Sequence, residues 1–173
     1  MSATAPAIQE TPALDLTALR RMNFTQLEEL YRGGKRPASI SDLNGDAKGA
    51  MLAWRSPATG PIAWLLRAWG TSSLFPWEGK SFKSQSNDLG EGINRVNFFK
   101  RMRWFPFKTR FEASFLDGKP SFLLDYSGPA NPPLIRSIVD EVREVAPGLY
   151  LGPAALLVRG KPRTILFFAV SFQ

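Results

Sequence analysis

The stretch LYLGPAALLVRGKPRTILFFAVSF, residues 149–172, decides the fold class. Two apolar runs, Leu149–Val158 and Arg163–Phe172, flank Gly160-Lys161-Pro162, which reads as the turn of a hairpin. The second run does not alternate strictly. Ile165, Phe167, Ala169 and Ser171 fall on one face, and Thr164, Leu166, Phe168, Val170 and Phe172 on the other. A strand that is apolar on both faces has to be covered on both faces. In an antiparallel barrel this means an apolar interior, with a helix or a second protomer packed outside.

The same grammar extends upstream. Lys108–Leu116 and Ser121–Tyr126 flank Asp117-Gly118, the strongest short hairpin signal in the chain. Ile93–Phe99 follows the Gly90-Glu91-Gly92 turn, Lys80–Gln85 alternates Lys80 and Phe82 against Ser81 and Lys83, and Gly49–Arg55 is a short apolar strand. Helical periods are fewer. Asp15–Met22 fits a helical turn, Thr25-Gln-Leu-Glu28 a capping box before Leu27, Leu30 and Tyr31, and Pro61–Trp69 a helix of about two turns. Leu134, Ile135, Ile138, Val139 and Val142 sit at helical spacing, so a longer helix is predicted from Pro133 to Glu144, the natural outer cover, with Asp140, Glu141 and Glu144 as its solvated stripe. About seven sequential antiparallel strands of this kind close into a barrel or curl over a helix. The expectation is a mainly β, α+β chain: an up-and-down calycin-like barrel with an N-terminal helix, a short lid-like helix and one longer helix outside.

Length and composition agree with one such domain. The chain has 173 residues, 44% hydrophobic and 21% charged. Residues 1–14 lack Lys and Arg, have no apolar core of a signal peptide, and read as a disordered leader before a single domain at 15–173. No apolar run is long enough for a membrane span, so a cytoplasmic location is expected. Histidine and cysteine are both zero. That excludes disulfides, the usual zinc and iron ligand sets and His-based triads, and no metal or cofactor is expected.

The pattern resembles the calycin-like barrels, the lipocalin and fatty-acid-binding group: a helix before the first strand, Gly49 opening it with Trp54 five residues on, and hairpins in sequential order. More specifically, Trp77-Glu-Gly-Lys80-Ser-Phe82, Phe111-Glu-Ala-Ser-Phe115 and the strand end Asp125-Tyr126 are similar to bacterial uncharacterised GxWxG-type barrel proteins. The lipocalin Gly-x-Trp is here Gly49-Ala-Met51. The resemblance implies a hydrophobic small molecule (fatty-acid, terpenoid or polyketide-like) inside the barrel.

Candidate site residues follow from that expectation. Trp69, Trp77, Phe82, Phe99 and Phe115 are assigned to an apolar wall, and Arg110 or Tyr126 to a polar anchor. Arg110 and Glu112 share one strand face, which is interior or exterior; the exterior alternative makes them ordinary surface pairs. If the protein is an enzyme, it is a cofactor-independent isomerase or cyclase using Tyr126, Asp125 or Glu112. Pro61–Trp69 is a lid over the mouth or a plug. From Arg95 to Arg110 the chain is basic and aromatic without an acid. Arg101, Arg103 and Lys108 suit an anionic membrane surface or a solvated strand edge; nucleic acid ranks third because no RNA-binding motif is present.

Overall fold

The computed structural model describes residues 14–55, 77–97 and 100–173. The lid-like helix at 61–69, Trp69, Phe99 and residues 1–13 of the leader lie outside the described residues. Leu14, taken with the leader, packs against the outer core.

Eight strands form one closed antiparallel barrel in sequence order. They are β1 (Gly45–Trp54), β2 (Trp77–Ser84), β3 (Leu89–Asn97), β4 (Arg101–Ala113), β5 (Pro120–Asp125), β6 (Ile138–Ala146), β7 (Leu149–Val158) and β8 (Lys161–Ser171). The barrel closes where β1 pairs with β8, from Lys48 opposite Ser171 to Trp54 opposite Leu166. Among the described residues, three short helices accompany it: α1 (Leu16–Leu19), α2 (Phe24–Gly33) and α3 (Pro133–Arg136). A 3-10 turn covers Ile40–Leu43. The capping box of α2 is Asn23 with Gln26, two residues before the predicted one. The last hairpin turns on Arg159 and Gly160, both at positive φ (52° and 74°), and Lys161 already belongs to β8. Among the described residues, no helix is long and apolar enough to cross a membrane.

The helix expected from Pro133 to Glu144 is corrected. Only one turn is helical, and Ile138–Ala146 is β6, paired with β5 and β7. Its apolar positions satisfy both periods, but a closed sheet supplies ladder partners on both edges, which an outer helix would forgo. Both of its faces are buried, so the apolar residues need not alternate.

The outer cover of β8 is therefore α1 and α2. Leu19, Leu27 and Tyr31 pack with Phe167, Ala169, Leu149 and Leu151. Phe24 meets Phe167 edge-on at 4.9 Å between ring centroids. Inside, Leu166, Phe168 and Val170 belong to the barrel core. From Leu166 to Phe172 the two faces read from the sequence are thus an inner and an outer core face, whereas Ile165, read on the outer face with Phe167, lies at a register shift and packs against the barrel interior.

The interior divides into two halves. At the end carrying the β2–β3, β4–β5 and β6–β7 connections, rings fill the space. Phe82 lies 5.5 Å from Phe107, 6.3 Å from Phe122 and 6.2 Å from Phe172, while Phe111 and Tyr150 add further ring contacts. Ile40 and Leu43 of the 3-10 turn join this cluster. At the other end, beside α3, the described residues leave a cavity.

Candidate functional site

The open half is a cavity of about 120 Å³. Met51, Trp54, Trp77, Val96, Phe105, Ile135, Ile138, Ala154, Ile165, Leu166 and Phe168 make its walls. Trp54 and Trp77 flank residues 56–76 in sequence. Trp77 owes its place to Gly49: a Cβ there would stand 2.6 Å from the indole ring. The β1 glycine therefore makes room for the tryptophan of β2, and any larger residue would push that ring into the cavity.

Four polar residues, from four different strands or strand ends, make the floor. Lys80 of β2 is 3% exposed. Its Nζ donates to Asn94 Oδ1 at 2.9 Å, to the Tyr126 hydroxyl at 2.5 Å and to Asp140 Oδ2 at 3.2 Å. Tyr126 donates onward to Asp140 Oδ2 at 3.1 Å. Asn94 Nδ2 donates to Phe105 O and to the Tyr126 hydroxyl, and Trp77 Nε1 donates to Asn94 Oδ1 at 3.1 Å. The rings of Phe168, Phe107, Tyr126 and Trp77 surround the ammonium at 4.9–5.4 Å. Such cation–π contacts are strongest where water is excluded.

Burial dominates the ionisation of this group. It pushes Lys80 down, opposed by the attraction of Asp140, and pushes Asp140 up, opposed by Lys80. The Tyr126 hydroxyl is held well above its ordinary value by burial and by the Asp140 charge. One atom is unsatisfied: Asp140 Oδ1, buried, has no hydrogen-bond partner.

Of the residues read from sequence, Trp77 and Tyr126 line this cavity. Phe82 sits in the ring-filled half instead, and Phe115 lies in the β4–β5 connection, at the opposite end from the cavity. Phe115 shares an outer surface groove with Arg110, Glu112 and Asp125. Arg110 is 39% exposed on the outer face, paired with Glu112 at 2.7 Å and Asp125 at 2.9 Å. It therefore does not anchor anything in the barrel, and Glu112 and Asp125 are likewise placed outside. Arg101, Arg103 and Lys108 are exposed on the outside of β4. Arg101 faces Glu78 at 3.7 Å and Arg95 faces Asp46 at 3.4 Å, so acids from β1 and β2 meet part of this basic stretch.

Lys80, Asn94 and Asp140 were missed as site residues. The alternation that put Lys80 beside Phe82 was the available signal, because a lysine on an apolar strand face is an interior lysine. Asp140 was hidden by the helical period, which turned it towards solvent.

A scan against protein-family models matches none, and no curated protein matches. Among solved structures, the chain is similar to a crystal structure of a protein from Thermomonospora curvata. The two are 17% identical over 87% of each chain, with a TM-score of 0.53. The likeness is one of fold alone.

Proposed function

We propose that the protein binds a small, mostly apolar molecule in the open half of its barrel. The observation that carries this is an apolar cavity with a buried, charged floor. A barrel built only for stability gains by filling its interior with side chains, as the other half does, and a buried ion pair is a poor substitute for hydrophobic packing. The volume is close to that of an engineered cavity of about 150 Å³ that holds benzene. A ligand here gains mainly through buried area, about 25 cal/mol per Å² before the costs of association. The motif Trp77-Glu-Gly-Lys80-Ser-Phe82 supports kinship with the GxWxG-type barrel proteins, since it supplies a wall tryptophan, the floor lysine and a ring beneath it from one strand.

The test is a fluorescence titration read from Trp54 and Trp77, with a panel of one-ring and short-chain apolar compounds. The expected result is saturable change in the wild type and none in Ala154→Phe, whose ring would occupy the cavity. An unresponsive wild type, with nothing co-purifying in native mass spectrometry, refutes the proposal.

A second reading, turnover of the same molecule by a cofactor-independent isomerase, is favoured by one observation. Lys80, Asp140 and Tyr126 place a proton donor and acceptor pair against the cavity, with ionisation shifted by burial as in acid–base sites. Chemical change of a bound ligand that is lost in Asp140→Asn would select it.

A further inference from the structure

Resting on that binding reading, the floor also specifies the chemistry of the ligand's polar end. We propose that the bound molecule carries a hydrogen-bond donor, a hydroxyl or an N–H, that lands on Oδ1 of Asp140, and that carboxylate ligands are refused.

The argument is an accounting of donors. A lysine ammonium has three N–H bonds, and Lys80 uses them on Asn94, Tyr126 and Asp140. An asparagine amide has two, and Asn94 uses them on Phe105 O and Tyr126. The single donors of Tyr126 and Trp77 go to Asp140 Oδ2 and Asn94 Oδ1. No donor of the floor is left over for a ligand. One acceptor is: Oδ1 of Asp140, on a residue that lines the cavity and is 4% exposed.

An unpaired buried carboxylate oxygen is costly, and buried polar atoms in folded proteins are nearly always satisfied. The group that completes this one must donate. An alcohol, a phenol or an N–H heterocycle does so while its apolar body meets the walls. A carboxylate would bring a second negative oxygen against Oδ1 in a site screened from water, and the floor would offer it no free donor in return. A carbonyl meets the same lack of donors, without the repulsion. The fatty-acid class suggested by the calycin resemblance is thus disfavoured in its ionised form, and an alcohol of the same skeleton is preferred.

The experiment compares four probes with one ring and one changing substituent: toluene, benzyl alcohol, benzaldehyde and benzoate. Each is titrated calorimetrically into the full chain at neutral pH. Benzyl alcohol is expected to bind about tenfold tighter than toluene, the usual worth of a hydrogen bond to a charged acceptor after desolvation. Benzaldehyde should bind no better than toluene, and benzoate not at all. In Asp140→Asn the amide can keep its oxygen on Lys80 and Tyr126 and turn its NH₂ to the cavity, so the preference should invert towards benzaldehyde. Equal binding of toluene and benzyl alcohol, as when a retained water already satisfies Oδ1, overturns the proposal. So does benzoate binding as well as the alcohol. Should none of the four bind, the binding reading itself falls. Should Asp140→Asn not fold, by its melting curve, the wild-type ranking alone decides.

Discussion

Asp140 and Glu141 are neighbours on β6, both carboxylates are buried, and they face opposite sides of the barrel wall. Glu141 points outward beneath α2. Its Oε1 receives the Tyr31 hydroxyl at 2.7 Å and Ser114 Oγ at 2.5 Å, and its Oε2 receives Phe115 N at 3.1 Å. Two residues on, Arg143 grips Asp117 with two nitrogens at 2.7 and 2.8 Å and donates to the carbonyls of Tyr31, Lys119 and Pro120. Both oxygens of Glu141 are satisfied. This outer group clasps α2 to the β4–β5 hairpin and works as structure. The inner group around Asp140 is as deeply buried but stops one bond short, and the gap faces a cavity. The difference teaches that burial alone does not mark a site; incompleteness beside a void does.

The comparison breaks first at Arg143. Arg143→Met leaves the buried Asp117 carboxylate without its ion-pair partner and takes one donor from each of the Tyr31, Lys119 and Pro120 carbonyls, so urea denaturation should show a loss of about 3–5 kcal/mol. A mild effect would mean that the outer clasp is dispensable and that the contrast is misplaced. Next comes acid. The Arg143 hydrogen bonds hold Asp117 down at about 2, against an ordinary 3.8. A carboxylate depressed in the folded state stabilises at pH above its unfolded value, and that contribution is lost as pH falls from about 4 to about 2. The difference between wild type and Asp117→Asn should therefore shrink by about 2 kcal/mol across that window in unfolding curves.

The inner group should answer differently. Replacing it together, as Lys80→Met, Tyr126→Phe and Asp140→Leu, removes every charge at once and leaves Asn94 with Trp77 and Phe105. Stability should stay within about 1 kcal/mol of wild type or rise, while ligand binding disappears. A triple variant that unfolds would make the floor structural. The smallest effect is expected at Arg110→Leu on the outer surface. A half-exposed ion pair contributes about 0–1 kcal/mol, and ligand titrations should be unchanged because the residue is outside the barrel.

Much of the fold was legible because its punctuation is local. Asp117-Gly118 and Gly160 turn the chain with residues whose backbone freedom is written in their identity, and each hairpin follows from a few neighbours. The two-faced character of residues 163–172 was equally plain, and it required an outer layer. Which helix supplies that layer was not legible. Ile138, Val139 and Val142 satisfy a helix and a doubly covered strand alike, and only the demand of a closed ladder separates the two. The site suffered from the same ambiguity: with the period wrong, Asp140 and Glu141 became a wet stripe and not two buried carboxylates facing opposite ways. Tyr126 was visible as a polar residue at the end of an apolar strand. Arg110 drew notice for its charge, although strand parity puts it with Lys108 and Glu112 on the exposed face of β4.

The seam between β1 and β8 joins strands from opposite ends of the described chain, and it sets the order in which the molecule can become itself. Until β8 has been synthesised, β1 and β7 are bare edges able to pair with other chains. The apolar faces of α1 and α2 must wait as well, because their partners Phe167 and Ala169 belong to β8. Helices made ahead of the barrel are thus among the last elements to settle. Pairings so distant in sequence fold slowly, on the order of milliseconds to seconds. A chain stalled before β8 would expose its helices and both edges at once, so quality control has a clear signal to act on.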